Sequence, residues 1–192
     1  IRDGTRTKVP ALGGAEDLHF EQVGDLEAFF TAGALASLPD RFESEVSELT
    51  YKTLRYPGHR EKIEFLRELG FLDDEPVEVD GANISPRSVT ENRLEHTLPT
   101  GQPDLVVGRT TVTGEVDGSS KRIVYELYDE FHKPTDMSAM MRTTVIPAVK
   151  IGQLAMTGQL DPGVTPAEGD VPIEPVLHFM RDRGIEIGEV SG

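Results

Sequence analysis

The stretch PDLVVGRTTVTGEVDGSSKRIVYELYDEFH, residues Pro103–His132, decides the fold. Two runs rich in β-branched and aromatic residues lie on either side of DGSS, which is a typical turn sequence. This pattern predicts an antiparallel β-hairpin. The segment that follows, MSAMMRTTVIPAVKIGQLAMTG, predicts a long helix that ends near Gly158. Within it, Pro147 either causes a kink or marks the start of the regular part of the helix.

Helices and strands also alternate irregularly on both sides of this hairpin. ELTYKTLRY (Glu48–Tyr56) predicts a strand, and HREKIEFLRELG predicts a helix that stops at Gly70. After a polar stretch, Ser85 and Pro86 predict the N-cap and first residue of another helix. Near the end, IEPVLHFMRDRG predicts a helix closed by Gly184, and IEIGEV predicts a last strand. This order, without regular βαβ units, predicts an α+β fold with a mixed, largely antiparallel sheet covered by helices.

The start of the chain is less regular. Three short apolar segments, KVPAL, LHFEQV and LEAFFTAG, predict strands separated by turns. No composition change indicates a domain boundary, so we expect a single domain over residues 1–192. The first residue is Ile1 rather than Met, and we expect this domain to be a fragment of a longer protein.

Charge and composition exclude several classes of function. The 34 acidic and 19 basic residues give a net charge of −15, which repels phosphate backbones and argues against nucleic-acid binding. No apolar run approaches the length of about 18 residues that spans a membrane. The absence of cysteine excludes disulfides, a cysteine nucleophile and a cysteine-ligated zinc, and fits a cytoplasmic setting. The five histidines are scattered without metal-ligand spacing, so we expect no metal site.

The turn RYPGH is the first candidate site. Arg55 has the forked geometry that binds a carboxylate, and Tyr56 and His59 have groups that exchange protons. We expect His59 to be neutral, because a positive charge at a helix N-terminus is unfavourable. The alternative is an ordinary strand-to-helix turn with Arg55 in a surface ion pair.

The segment MMRTTVIP is the second candidate. Arg142 and the hydroxyls of Thr143 and Thr144 precede a proline that frees backbone groups to face a ligand. The alternative is a buried helix whose threonines bond back to their own chain.

Nucleotide-binding and hydrolase motifs are missing from the chain. No Gly-x-Gly-x-x-Gly follows a predicted strand, and no Gly-x-x-x-x-Gly-Lys, Gly-x-Ser-x-Gly or His-Glu-x-x-His occurs. LGGAED has two glycines but lacks both the third and the strand–helix context. The sequence therefore carries no recognisable nucleotide site and no Rossmann unit.

Several of these segments, taken in order, resemble a known family. TLRYPGHREKIEFLRELGFLDDEPVEVDG, SPRSV, the hairpin, MSAMMRTTVIPA and IEPVLHFMRDRGIEI are similar to the C-terminal domain of the saccharopine dehydrogenase family. The resemblance runs from about Leu12 to Ile187 and is greatest to lysine 6-dehydrogenase-type members. KTLRYPGH with its helix is the most specific part, followed by the Met-x-Arg-Thr-Thr…Pro segment.

The resemblance implies an activity and the parts that carry it. Members oxidise a C–N bond of a lysine- or saccharopine-like amino acid by hydride transfer to NAD or NADP, which is bound mainly by an N-terminal Rossmann domain that this chain lacks. The C-terminal domain supplies the substrate pocket and a homodimer interface, and the fragment alone is expected to be inactive. The resemblance implies these roles: His59 and Tyr56 catalytic, and Arg55, Arg142, Thr143 and Thr144 substrate-binding. It leaves open which residue is the acid or base.

One position departs from the family pattern. Members often have glycine after the Thr-Thr pair, whereas this chain has Val145, which adds a branched side chain and stiffens the backbone. We expect a changed helix start or a narrower pocket. The alternative function is therefore a non-catalytic binding or dimerisation module that retains the fold.

Overall fold

A computed structural model describes residues 1–31, 37–99 and 101–190 of the 192-residue chain. The chain divides into two compact units, Ile1–Gln102 and Pro103–Gly192. Each unit has its own sheet and its own helices. The single domain expected over the whole chain stays a prediction.

The first unit is built on a three-stranded antiparallel sheet. Its strands are β1 (Glu16–Phe20), β2 (Gly24–Phe29) and β3 (Thr53–Arg55), in the order β1-β2-β3. Apolar side chains from the sheet and the residue after β2 form the buried core of the unit: Phe20, Leu26, Ala28, Phe29 and Phe30. The central strand β2 thus carries most of the buried surface.

Three helices and a small hairpin complete the described part of this unit. They are α1 (Leu38–Phe42), α2 (His59–Glu68), β4 (Val77–Val79), β5 (Ala82–Ile84) and α3 (Pro86–Thr97). Between β4 and β5, Asp80 and Gly81 have φ angles of 50° and 80°, as a two-residue type I′ turn requires. The sequence prediction treats this hairpin only as a polar stretch. The cap of α3 is confirmed, because Ser85 Oγ accepts a hydrogen bond of 3.2 Å from the backbone N–H of Ser88.

The second unit is built on the predicted hairpin. Strands β6 (Leu105–Val116) and β7 (Ser119–Glu130) pair without a break from Leu105↔Glu130 to Val116↔Ser119. Only Asp117 and Gly118 form the turn, with φ angles of 52° and 75°. Strand β8 (Glu186–Val190) pairs antiparallel with the far side of β7 and gives the order β6-β7-β8.

Two helices pack on each other in the second unit, α4 (Ala139–Met156) and α5 (Ile173–Arg181). Their core consists of buried apolar residues from both helices and the residue before β8: Leu154, Val176, Met180 and Ile185. Pro147 lies inside α4, which stays helical through it. The long helix predicted from the sequence is therefore confirmed.

The α+β fold class and the antiparallel pairing are confirmed, with the strands divided among three small sheets. Two strand predictions are wrong or too long. KVPAL (Lys8–Leu12) forms no strand, because Leu12 has a φ of 65°, which extended backbone does not allow. Glu48–Tyr56 contributes only three strand residues, since Leu49 instead exchanges backbone hydrogen bonds with Ile1. LEAFFTAG contributes to β2, and its last two residues lie outside the described part of the chain.

Candidate functional site

The turn between β3 and α2 brings together the first group of predicted site residues. Gly58 is the N-cap of α2 with a φ of 85°, and its hypothetical Cβ would meet no atom within 4 Å. Glycine is favoured here for its backbone conformation rather than for its size. The N–H of His59 donates to the carbonyl of Tyr56 at 3.2 Å and closes the turn. Arg55 at the end of β3 and His59 at the start of α2 therefore lie on either side of one turn.

A glutamate from the neighbouring strand completes this helix start. Glu27 on β2 is the register partner of Arg55, and its Oε1 accepts a hydrogen bond of 2.7 Å from the backbone N–H of Arg60. A carboxylate at this position accepts from a backbone N–H that has no partner within the helix, and its negative charge is favourable at the positive end of the helix dipole. No local sequence pattern indicates Glu27, because 33 residues separate it from Arg60 and only the sheet register brings them together.

His59 is held against an aromatic ring of the core. Its imidazole stacks on Phe29, with centroids 6.4 Å apart and planes inclined by 15°. Partial burial lowers the pKa of His59 below its ordinary value, the charge of Arg55 lowers it further, and Glu27 opposes the shift. The ring is therefore neutral at pH 7 and able to accept a proton, as expected from its place at a helix start.

Arg55 and Tyr56 are exposed on the surface of the first unit. One nitrogen of Arg55, Nη1, donates to the carbonyl of Leu54 at 2.8 Å. The remaining guanidinium donors make no hydrogen bond or ion pair to any residue in the described ranges, so the surface ion pair of the alternative interpretation is absent there. Tyr56 is 58% exposed. The turn therefore combines a cationic fork, a phenol and a neutral imidazole, which together can bind a carboxylate and move a proton.

The second group of predicted residues lies in the first turns of α4. Arg142 is buried and forms a forked ion pair with Asp129 of β7, with Nε–Oδ2 at 2.8 Å and Nη2–Oδ1 at 3.1 Å. Its Nη2 also donates to the carbonyl of Arg183 at 2.8 Å. Arg142 thus ties α4 to β7 and to the turn before β8. A cleft of about 380 Å³ opens beside this pair.

The two threonine hydroxyls bond back to their own helix. Thr143 Oγ1 donates to the carbonyl of Ala139 at 2.8 Å, and Thr144 Oγ1 donates to that of Met140 at 2.7 Å. This is the arrangement that the alternative interpretation predicts. Substrate binding by Arg142, Thr143 and Thr144 stays a prediction.

Each predicted triplet is brought together within its own unit of the chain. Arg55, Tyr56 and His59 lie in Ile1–Gln102, whereas Arg142, Thr143 and Thr144 lie in Pro103–Gly192. Among the described residues, no group of three or more His, Cys, Asp or Glu side chains could hold a metal ion. No helix in the same ranges is long and apolar enough to cross a bilayer.

Comparison with known families identifies the relatives of the chain. The family model of the saccharopine dehydrogenase C-terminal domain matches residues 1–185. The chain belongs to this family. The match includes both predicted triplets and the turn that carries RYPGH.

A solved member of the saccharopine dehydrogenases has the same fold. The chain matches apo histidine-tagged saccharopine dehydrogenase (L-Glu forming) from Saccharomyces cerevisiae with a TM-score of 0.74 and 17% sequence identity. The match covers 99% of this chain and 58% of the yeast chain. The chain thus spans a little over half the length of that relative.

The start of α4 offers no binding site for a phosphate group such as a nucleotide cofactor carries. The backbone N–H groups that open α4 are already bonded, since Asp104 accepts from Ala139 at 2.7 Å and from Met140 at 3.0 Å. Ser138 Oγ accepts from Met141 at 3.0 Å. A carboxylate at this helix start repels phosphate rather than binding it. No sequence pattern indicates that Asp104 caps α4, because the whole β6–β7 hairpin lies between them in the chain.

Proposed function

We propose that the chain is the substrate domain of a nicotinamide-dependent amino-acid dehydrogenase, most like the lysine 6-dehydrogenase type. The proposed reaction oxidises a C–N bond of a lysine- or saccharopine-like substrate. One observation carries the proposal: in a chain of the saccharopine dehydrogenase family, the β3–α2 turn places Arg55, Tyr56 and a neutral His59 side by side.

The residues of this turn have complementary roles in the proposal. Arg55 binds a substrate carboxylate through the guanidinium donors that no described residue uses. His59 accepts a proton from the substrate amine, which is possible because its lowered pKa leaves the ring neutral. Tyr56 donates a hydrogen bond to the same ligand from its exposed phenol. His59 and Tyr56 are therefore the proposed catalytic residues, and Arg55 the substrate-binding one.

Arg142, Thr143 and Thr144 are also proposed to be near the substrate, as the family resemblance implies. The contacts of Arg142 support a positioning role, since its ion pair with Asp129 holds the start of α4 in place. NAD or NADP would be held mainly by another domain of a longer, cytoplasmic protein. We further propose that this protein is a homodimer and that the 192 residues alone do not transfer hydride.

Turnover by the longer protein tests this proposal. The full-length gene product is incubated with NAD or NADP and a panel of L-lysine, saccharopine and other diamino acids, and reduced nicotinamide is followed by absorbance. The proposal predicts turnover with a substrate that carries both an amine and a carboxylate, with a large loss in His59→Ala. A folded full-length protein that binds these compounds without reducing either cofactor would contradict it.

That last outcome would support the alternative, a binding or dimerisation module without chemistry. The observation that favours the alternative is Val145, whose branched side chain is 44% exposed where members of the family often have glycine. Val145→Gly separates the two explanations. Turnover that appears only in this variant would assign the loss of chemistry to that side chain.

A further inference from the structure

Strand β6 is an open edge of the sheet in the second unit. Its twelve residues, Leu105–Val116, pair with β7 on one side, and no strand within the described ranges pairs with the other side. The strand has no proline, lysine or bulge, which are the features that usually protect such an edge. Its main-chain donors and acceptors therefore form a ready template for another strand.

The outer half of the hairpin is also short of packing partners. Residues 110–122 are all exposed, with Val112 and Val116 at 59% and 54%. Strand β8 supports β7 only over residues 124–128. An isolated two-stranded hairpin is only marginally stable in water. An added strand along β6 would therefore stabilise residues 110–122 most.

The charges of β6 indicate which strand would pair with its open edge. Arg109 and Glu115 are its only charged residues, and each lies three positions from Val112. An antiparallel copy of β6, centred on Val112, places Arg109 opposite Glu115 twice, once on each side of the centre. It also pairs Val112 with Val112 and Thr111 with Thr113, and both pairings suit a sheet.

We infer that β6 pairs with β6 of a second copy across a two-fold axis at Val112, which joins two three-stranded sheets into one of six strands. Such a contact is closed and self-complementary, as a two-fold dimer requires. Arg109 keeps its bond to Glu126 of its own chain, where Nε lies 2.6 Å from Oε1. The Glu115 of the other copy then extends this pair into a three-membered network. The inference rests on the homodimer proposed above and names its surface, but it does not depend on catalysis.

A single cysteine tests both the contact and its register. The chain has no cysteine, so Val112→Cys can form a disulfide only between copies. Directly opposite residues of antiparallel strands have Cα atoms about 4.5–5.5 Å apart, which suits a disulfide. Val116→Cys is the matched control, since the same register separates its two copies by eight residues, or about 27 Å. We expect rapid cross-linking of the 192-residue chain under mild oxidation for Val112→Cys and none for Val116→Cys.

A charge reversal gives a second, independent measurement. Glu115→Arg sets arginine opposite arginine twice, so the dimer dissociation constant should rise roughly tenfold. Glu95→Arg on α3 changes the net charge equally at an exposed position and should leave it unchanged. Light scattering gives the dimer fraction. Equal cross-linking through both cysteines, or a dimer dissociation constant that Glu115→Arg does not change, would overturn the β6 contact. Neither result would contradict the homodimer itself. A monomer at all concentrations would overturn both, and neither result bears on turnover.

Discussion

At the level of single residues, partial burial and three charged neighbours set the pKa of His59. Burial and the charges of Arg55 and Lys62 lower the pKa, and Glu27 opposes them. Arg55→Ala should therefore raise the pKa of His59, and Glu27→Gln should lower it further. NMR titration of the imidazole resonances measures both shifts. Equal pKa values in the two variants would show that these charges do not affect the pKa of the imidazole.

The same shift links His59 to stability. The unfolded chain binds its proton near pH 6.5, whereas the folded chain binds it only at lower pH. This contribution to stability is present above pH 6.5 and is lost as the pH falls through the folded value. Urea unfolding should therefore show that the wild type loses stability relative to His59→Asn between pH 7.5 and pH 5. A gain in the relative stability of the wild type on acidification would contradict the assigned direction.

The buried pair of Arg142 and Asp129 gives the largest single-residue effect. Arg142→Met should cost about 3–5 kcal/mol of unfolding free energy, because it leaves a buried carboxylate without its partner. The double variant Arg142→Met with Asp129→Leu should be more stable than the single variant, since no charge then stays buried. Denaturant unfolding of both proteins measures the difference. Additive losses would show that the two side chains act separately.

At the level of elements, the β3–α2 turn depends on one backbone conformation. Gly58 and Gly24 have φ angles of 85° and 79°, and both have open space where a Cβ would lie. Alanine at either position should therefore cost roughly 1–2 kcal/mol from backbone strain alone. If the proposed function holds, only Gly58→Ala should also weaken substrate binding by the full-length protein, since Gly24 lies in a different turn. Denaturant unfolding and KM measurements on both variants separate the two effects.

The elements themselves were predictable where the sequence pattern is local. The β6–β7 hairpin, the cap of α3 and the helices α2 and α4 depend on neighbouring residues, and the sequence predicts all of them. The strand predicted at Lys8–Leu12 is wrong, because the chain turns at Leu12, where φ is positive and the N–H of Gly13 donates to the carbonyl of Pro10. The β4–β5 hairpin has a usable signal in its Asp-Gly pair, but its strands are only three residues long.

At the level of the whole molecule, long-range contacts decide what each site residue does. Sequence analysis predicts that Arg55 and His59 share a turn, and the structure confirms this. It does not predict Glu27 and Phe29, which reach the same turn through sheet register. The sequence does not predict the role of Arg142 either, since its partners Asp129 and Arg183 lie 13 and 41 residues away.

We propose that Arg55 at this turn binds the substrate carboxylate. The test compares kcat/KM of the full-length protein on the proposed amino-acid substrate and on the corresponding carboxamide, for wild type, Arg55→Ala and the exposed control Arg93→Ala. If Arg55 binds the carboxylate, Arg55→Ala should lose roughly 10–100-fold on the carboxylate and little on the carboxamide, while Arg93→Ala should match wild type on both. An equal loss on the two substrates, or no loss on either, would contradict it.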